Sequence, residues 1–593
     1  MQGTILWVGE VDSVVSVGRP IVVLESMKMQ HDVVHDTATH IVSVLVAVGD
    51  TVKVGDPLVV VESVAETAVE DTLDGSDPKS EIGSRPDLVD VVARHRLGLD
   101  EARPDELQRR HQRGRRTARE NLADLVDPDS FVEYGPLVVA AQRRRRSIED
   151  LVARTPADGL VGGIGEIAGG RVVVMSYDYT VLAGTQGQQN HRKKDRLFDV
   201  AERLRLPVVL FAEGGGGRPG DTDGLGVSGL DCWAFHDFAR LSGLVPLVGI
   251  AGGFCFAGNA ALLGCCDVVI ALTGSNIGMG GPAMIEGGGL GVFPPEAIGP
   301  LSVQASNGVV DLVARDDAHS VELAKKYLGY FQGPISEWSV PPQEELRHVV
   351  PTDRKKAYDM RKVFDGLFDN DSVLELRRGF GPGMITALAR LEGRPVGVIA
   401  NDPRHLAGAI DSDGADKAAR FMQLCDAFDI PLVTLVDTPG MMVGPEIEET
   451  ALVRHCSRLF VTGVNLDVPV VSVVVRKSYG LGAQAMMVGS TKAPLACVAW
   501  PTGEFGGMGL EGAVRLGYRS ELAAIDDPDE REATFQSMVD RMYEHGKALS
   551  VATHFEIDDV IDPVDTRRWI SAVVGSWRPE PRSGRKRPNV DTW

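Results

Sequence analysis

The sequence predicts a multidomain chain: a small all-β sandwich followed by two tandem α/β domains. Three observations carry that prediction. A ten-residue unit near the N-terminus occurs twice, 37 residues apart, and a longer helix-strand-loop unit occurs twice, 224 residues apart. At 593 residues, moreover, the chain is too long for a single hydrophobic core.

The short repeat reads "VGRPIVVLES" at 17–26 and "VGDPLVVVES" at 54–63, identical at seven of ten positions. Each copy has a Gly-x-Pro turn feeding a run of β-formers, so two copies build a sandwich with approximate two-fold symmetry over residues 1–63. Lys28, between Met27 and Met29, directly follows the first copy and falls at a hairpin tip. Residues 64–86 are acidic, polar and aperiodic, which reads as a flexible linker with a root-mean-square span of about 25 Å. Helical patterns follow at 87–101 and 104–126, the second dense in arginine.

The long repeat matches "RLFDVAERLRLPVVLFAEGGG" from Arg196 with "RFMQLCDAFDIPLVTLVDTPG" from Arg420. At the same spacing "LAG" at 182–184 meets "LAG" at 406–408, and Gly258 meets Gly482. A duplicated α/β domain explains this, with halves at 87–345 and 346–577 and functional loops at one sheet edge. Residues 578–593 read as a disordered basic tail. The apolar stretch 244–272 is long enough to span a bilayer. It contains Pro246, five glycines, Asn259 and Asp267, and is expected to fold as strand, turn, helix and strand.

A formal charge of -22 argues against nucleic acid or an anionic membrane as the main partner. Seven cysteines without a Cys-x-x-Cys pair support neither a disulfide framework nor a zinc site, and no metal is expected. The chain opens on no secretory leader, so the cytoplasm is the expected compartment.

Two stretches bear on chemistry. In "GGFCFAGNAALLG", 252–264, a strand gives way to a helix of small residues. Unpaired N–H groups at such a junction suit an oxyanion hole, and small residues equally suit tight helix packing. The second half repeats the construction in "VVVRKSYGLGAQAMM", 473–487, which implies two carbonyl groups to polarise. The glycine loop "EGGGGRPG", 213–220, lacks the Gly-Lys-Ser/Thr of a phosphate loop and reads as a pocket-lining turn. The arginines at 109, 110, 113, 115, 116 and 143–146 form either a solvated face or a site for phosphates or an acidic partner.

The region around Ser26-Met27-Lys28-Met29 resembles biotin carboxyl carrier domains, whose sandwich is of the hammerhead type. "GEIAGGRVVVMSYDYTVLAGTQG", "ADKAARFMQLCDAFDIPLVTLVDTPG" and "AWPTGEFGGMGLEGAV" resemble the carboxyltransferase (β) subunit of acyl-CoA carboxylases, two crotonase-like domains in tandem. The resemblance implies biotin in amide linkage on Lys28, with Met27 and Met29 read by a biotin ligase. It implies CO2 transfer from biotin to the α carbon of an acyl-CoA, biotin itself serving as the base. Ala257 and Gly258 would polarise the thioester through backbone amides, and Gly482 and Ala483 would hold the ureido oxygen. The second loop is one residue longer than the family's, so its register is open by one. Gln484 and Ala485 fall where the family sets acyl-chain size, and the small Ala485 points to something larger than acetyl-CoA. No ATP-binding biotin carboxylase lies in the chain, so ATP and magnesium would act through a partner biotin carboxylase subunit. A homodimer or ring-shaped hexamer is implied. Alternatives are a decarboxylase or transcarboxylase subunit, or a non-catalytic carrier scaffold.

Overall fold

The computed structural model describes residues 2–64, 85–224, 229–579 and 589–593. Almost all of the expected linker therefore lies outside the described residues. The chain falls into two compact units, Met1–Val89 and Asp90–Trp593.

The first unit is a sandwich of two sheets. One orders its strands Met29–Val34, Pro20–Ser26, Gly3–Val8 and Thr51–Val52; the other orders Val14–Val15, Thr39–Val44 and Val59–Ser63. Strand partners exchange at the 37-residue spacing: Val14–Val15 matches Thr51–Val52, and the hairpin strand Pro20–Ser26 matches Val59–Ser63. Ile5, Val22, Leu24 and Ile41 turn inward to a shared core, Val22 and Leu24 by strand alternation, and Ile21 joins them where the register shifts between Pro20 and Val22.

The second unit contains two mixed sheets built alike. The first half orders strands 312–314, 268–272, 247–251, 208–211, 170–177, 160–167 and 132–133. The second half orders 374–376, 384–391, 394–401, 432–438, 470–479, 496–499 and 559–560. In each, an antiparallel hairpin (160–167 with 170–177; 384–391 with 394–401) leads into parallel strands joined by helices. Buried on both faces, these strands read as continuous apolar runs such as "LVGIA" and "VVIAL" rather than alternating ones. The stretch 244–272 folds as expected: strand Leu247–Ala251, strand Phe254–Phe256, helix Gly258–Gly264 and strand Val268–Leu272. None of the described helices is long and apolar enough to cross a membrane.

Of the expected disordered tail, 578–593, residues 580–588 lie outside the described residues, but 589–593 depart from the expectation. Residues 589–593 are docked against the second unit. Val590 is buried and exchanges hydrogen bonds with Ser242; Arg420 donates to the Asp591 carbonyl; the Trp593 ring packs edge-on against Phe380 at 5.4 Å. Residues 589–593 carry none of the tail's basic side chains; apolar Val590 and Trp593 and backbone acceptors facing Arg377, Arg420 and Arg458 hold them in place.

Candidate active site

At the hairpin tip, Ser26 pairs with Met29 across a two-residue turn whose central residues, Met27 and Lys28, have φ of 53° and 65°. That is the turn in which Asn-Gly is favoured, because both positions need a left-handed backbone. Two long side chains there strain the turn, so Met-Lys is placed by something other than folding. Met27 is 95 % and Met29 65 % exposed, and Lys28 points outward with them. An accessible primary amine on a rigid tip, ringed by thioethers, fits an amide-linked prosthetic group and a ligase that must grip the tip.

In the second unit, the two halves place the same loop at the same sheet edge. Leu182, Ala183 and Gly184 all have positive φ, and so do Leu406, Ala407 and Gly408, 224 residues on. Non-glycine residues there are forced by what lies behind them. A side chain at Gly184 would strike the Glu213 carbonyl at 2.4 Å, and one at Gly408 the Asp437 carbonyl at 2.2 Å. The N–H groups of Ala183 and Ala407 have no partner among the described residues. The sequence reading missed both as donors, although the repeated LAG was visible.

Beside each loop a strand ends in a helix. In the first half, Phe256 pairs with Gly278, Ala257 turns at φ 52° and ψ -122°, and the helix begins at Gly258. The Gly258 N–H has no partner among the described residues, but the Ala257 N–H donates to the Gly278 carbonyl at 3.0 Å. Ala257 is therefore not an open donor, because the small parallel pair of strands continues through its amide.

In the second half, Tyr479 pairs with Gly506 as Phe256 does with Gly278, and the positive φ that follows belongs to Gly480. Strand end and left-handed residue both set the spacing at 223, one less than the sequence match. Leu481 is thus the counterpart of Gly258, and Gly482 that of Asn259. Gly480 takes the place of Ala257 beside the strand pair, and the N–H groups of Leu481 and Gly482 show no partner among the described residues. Gly482 packs so closely that an added side chain would lie 2.6 Å from the Gly440 carbonyl carbon. The open donors centre on Leu481–Gly482 rather than Gly482–Ala483.

The second turn opens on a cavity of about 1330 Å³, lined by Leu481, Gln484, Met487, Met508, Met538 and Met542 among others. Of the two residues expected to set acyl size, Gln484 lines this cavity, whereas Ala485 is fully buried in the hydrophobic core. One residue of helix turns the side chain by about 100°, enough to send neighbours to opposite environments.

The glycine loop is a structural turn. Arg110 donates two bonds to Glu213, at 3.0 and 2.9 Å, and Arg218 bridges Asp158 and Asp221. Arg115 makes a forked pair with Asp317 at 2.9 and 2.8 Å. Two arginines of the expected basic face, Arg110 buried and Arg115 half-buried, are therefore engaged in ion pairs. Sequence separations of 103 and 202 residues hid those pairings.

A carrier with an accessible lysine at its tip, and a duplicated α/β core with two strand-to-helix turns bearing open N–H donors, are the parts of a group-transfer protein. Comparison with known proteins identifies the family. The carboxyl transferase domain matches residues 109–582 and the biotin-requiring enzyme domain residues 1–61. The chain is 35% identical over 484 residues to the methylmalonyl-CoA carboxyltransferase 12S subunit of Propionibacterium freudenreichii subsp. shermanii, covering 79% of this chain and 90% of that one. It is 33% identical over 507 residues to the long chain acyl-coenzyme A carboxylase beta4 subunit of Mycobacterium tuberculosis, covering 81% of this chain and 92% of that one. A single-chain, multi-domain long-chain acyl-CoA carboxylase superposes with a TM-score of 0.80 at 55% identity. That match covers 96% of this chain, which spans 55% of the carboxylase's length. The transcarboxylase 12S structure, described as a hexamer, superposes with a TM-score of 0.73 at 30% identity, covering 86% of this chain and 99% of that one. The chain belongs to the carboxyltransferase family of biotin-dependent acyl-CoA carboxylases, with a biotin carrier domain fused ahead of the transferase.

Proposed function

We propose that this chain carries biotin on Lys28 and transfers its carboxyl group to the α carbon of an acyl-CoA longer than propionyl. The observation that carries the reading is the pairing, in one chain, of the Met27-Lys28-Met29 tip with two anion-holding turns. Bound biotin supplies the carboxyl group and a ureido nitrogen able to take up a proton. The Gly258 N–H, with that of Ala183 across the loop, is aimed to hold the thioester oxygen as negative charge builds on it. Leu481 and Gly482 would hold the ureido oxygen. Because amides fixed in a strand-to-helix turn need no reorientation as charge develops, each is worth about two to three orders of magnitude in rate. No side-chain base is required.

The longer acyl group is supported by the cavity beside the second turn, whose methionines accommodate a chain of no fixed shape. It is supported also by the long-chain relatives at 55% and 33% identity. Charging of biotin would fall to a biotin carboxylase, and a hexamer follows the 12S relative's assembly. The domain division proposed is carrier 1–63, linker 64–86 and transferase halves 87–345 and 346–577. A transcarboxylase is the second reading, favoured by the 35% identity to the 12S subunit.

Mass analysis of the Lys28 peptide from chain expressed with a biotin ligase tests the carrier, beside a Lys28→Arg control. A biotin adduct on Lys28 alone is expected; an unmodified peptide despite an active ligase refutes the assignment. Carboxylation of palmitoyl-CoA that requires ATP and a biotin carboxylase, with no 2-oxo acid acceptor or donor, separates carboxylase from transcarboxylase.

A further inference from the structure

The two halves share their backbone at the two strand-to-helix turns, but among the described residues a buried lysine without an ion pair is wired to the turn only in the first; Lys477, just before the second turn, is paired with Asp437 at 2.6 Å. Lys194 is fully buried on helix Gln188–Leu204, and no ion pair reaches it among the described residues. Its Nζ donates to the Tyr177 hydroxyl at 2.9 Å and to Gln186 Oε1 at 2.8 Å. Gln186 Nε2 donates in turn to Asn259 Oδ1 at 3.2 Å, which also accepts from the Gly216 N–H at 3.1 Å. Asn259 Nδ2 donates to the Gly184 carbonyl at 3.3 Å, tying helix Gly258–Gly264 to the loop that carries Ala183. A side chain added at Gly258 would lie 3.2 Å from the Gln186 amide, so this network sits directly beside the open Gly258 N–H.

In the second half the corresponding residues are Ala418, Ile410 and Gly482, which can donate or accept nothing through their side chains. A duplicated scaffold needs no buried amine to fold there, since the second copy folds without one. Burying a lysine without a carboxylate is costly, so its retention at the first turn calls for a use.

We infer that Lys194 is a positioning residue for the transferase reaction: acting through Gln186 and Asn259, it holds the first turn and places a positive charge behind the thioester oxygen as that oxygen becomes an enolate. The network's polarity fits, since every link donates from the ammonium toward the turn. A positive charge in a water-excluded site acts strongly on charge that appears only in the transition state, and weakly on the neutral ground-state thioester. Hence its loss reduces kcat more than it raises KM. The assignment rests on the reading of Gly258 as the thioester's donor.

Titration adds a signature. Burial lowers the Lys194 pKa to about 7. The groups facing it are Tyr177, whose hydroxyl burial keeps neutral, Cys232, Asp195 and Asp158, and His191, which burial lowers to about 3 and so keeps uncharged. The protonated amine is the active form, so turnover declines as pH rises through about 7.

The test uses the full biotinylated chain and decarboxylation of a 2-carboxyacyl-CoA with free biotin as acceptor, from pH 6 to 9. Lys194→Met is expected to lower kcat at pH 6.5 by about 10- to 100-fold with KM changed less than threefold, and to abolish the decline near pH 7. Lys194→Arg should recover at least a third of kcat and move the decline beyond pH 9. Gln186→Met, which cuts the link but leaves the amine, should show an intermediate loss. A wild-type kcat flat from pH 6 to 9 overturns the inference without any variant having to fold. So does Lys194→Met with wild-type kcat, or a loss confined to KM. If the wild type turns over no CoA thioester, the reading of the transferase fails first.

Discussion

At the scale of the residue, the two turns differ in which constraint each glycine or alanine meets. Ala257 holds φ 52° and ψ -122°, a conformation that glycine occupies at little cost and other residues at about 1–3 kcal/mol. Its amide is already bonded to Gly278, so the side chain contributes strain without freeing a donor. Ala257→Gly is therefore expected to raise the thermal midpoint of the second unit while leaving the Gly258 N–H in place. Gly482 meets the opposite constraint. A methyl group 2.6 Å from the Gly440 carbonyl carbon cannot be accommodated without moving one backbone against the other. Gly482→Ala should reduce turnover of a CoA thioester by about a hundredfold, the order expected when a fixed donor is displaced. Biotin on Lys28, measured by mass, should be undiminished, because the carrier is a separate unit.

At the scale of the element, sequence legibility followed the repeats. The 37-residue spacing located the carrier's strands because a sandwich with two-fold symmetry needs matching turns and matching apolar alternation in both copies. The 224-residue spacing located the Leu182 and Leu406 loops, where "LAG" recurs letter for letter. It failed by one residue at the second turn, because Gly482 aligns with Gly258 by identity while the strand end at Tyr479 fixes the geometry. Identity of a glycine is a weak register mark; the strand pairing that places it is not written locally. The docked C-terminus was illegible for a related reason: its partners, Ser242, Arg420 and Arg458, lie 348, 171 and 133 residues away. Asp591 also accepts from Arg458 and Gln423, while the Trp593 indole donates to Asp416. Deleting residues 589–593 removes these partners and uncovers Phe380, leaving buried arginines with fewer acceptors. A loss of about 2–4 kcal/mol is expected, seen as a lowered thermal midpoint of the second unit. An unchanged midpoint would mean that the segment rests on the surface without stabilising it.

At the scale of the whole molecule, duplication has left a pH dependence that runs against that of turnover. Lys193 and Lys417 occupy the same position of the long repeat, and both are buried. Lys193 donates to the carbonyls of Gly135 and Leu160, and Lys417 to that of Phe380, so each pins a neighbouring loop to its helix. Burial lowers their pKa values to about 8 and about 7, and that of Lys194 to about 7. An unfolded lysine stays protonated to about pH 10.4. Above pH 7 the unfolded chain consequently binds more protons than the folded one, and stability rises with pH, by up to roughly 1.4 kcal/mol per pH unit for each lysine that has discharged. The buried thiols oppose this only as pH approaches 9, because burial raises their pKa values and the folded chain then holds the extra protons. The thermal midpoint of the second unit should accordingly climb between about pH 7 and 8.5, and climb less steeply in Lys417→Met. A midpoint that is flat or falls across that interval would mean these amines remain charged in the fold. If the climb is observed while turnover falls over the same interval, the chain is most active where its buried lysines are still charged and most stable where they are not.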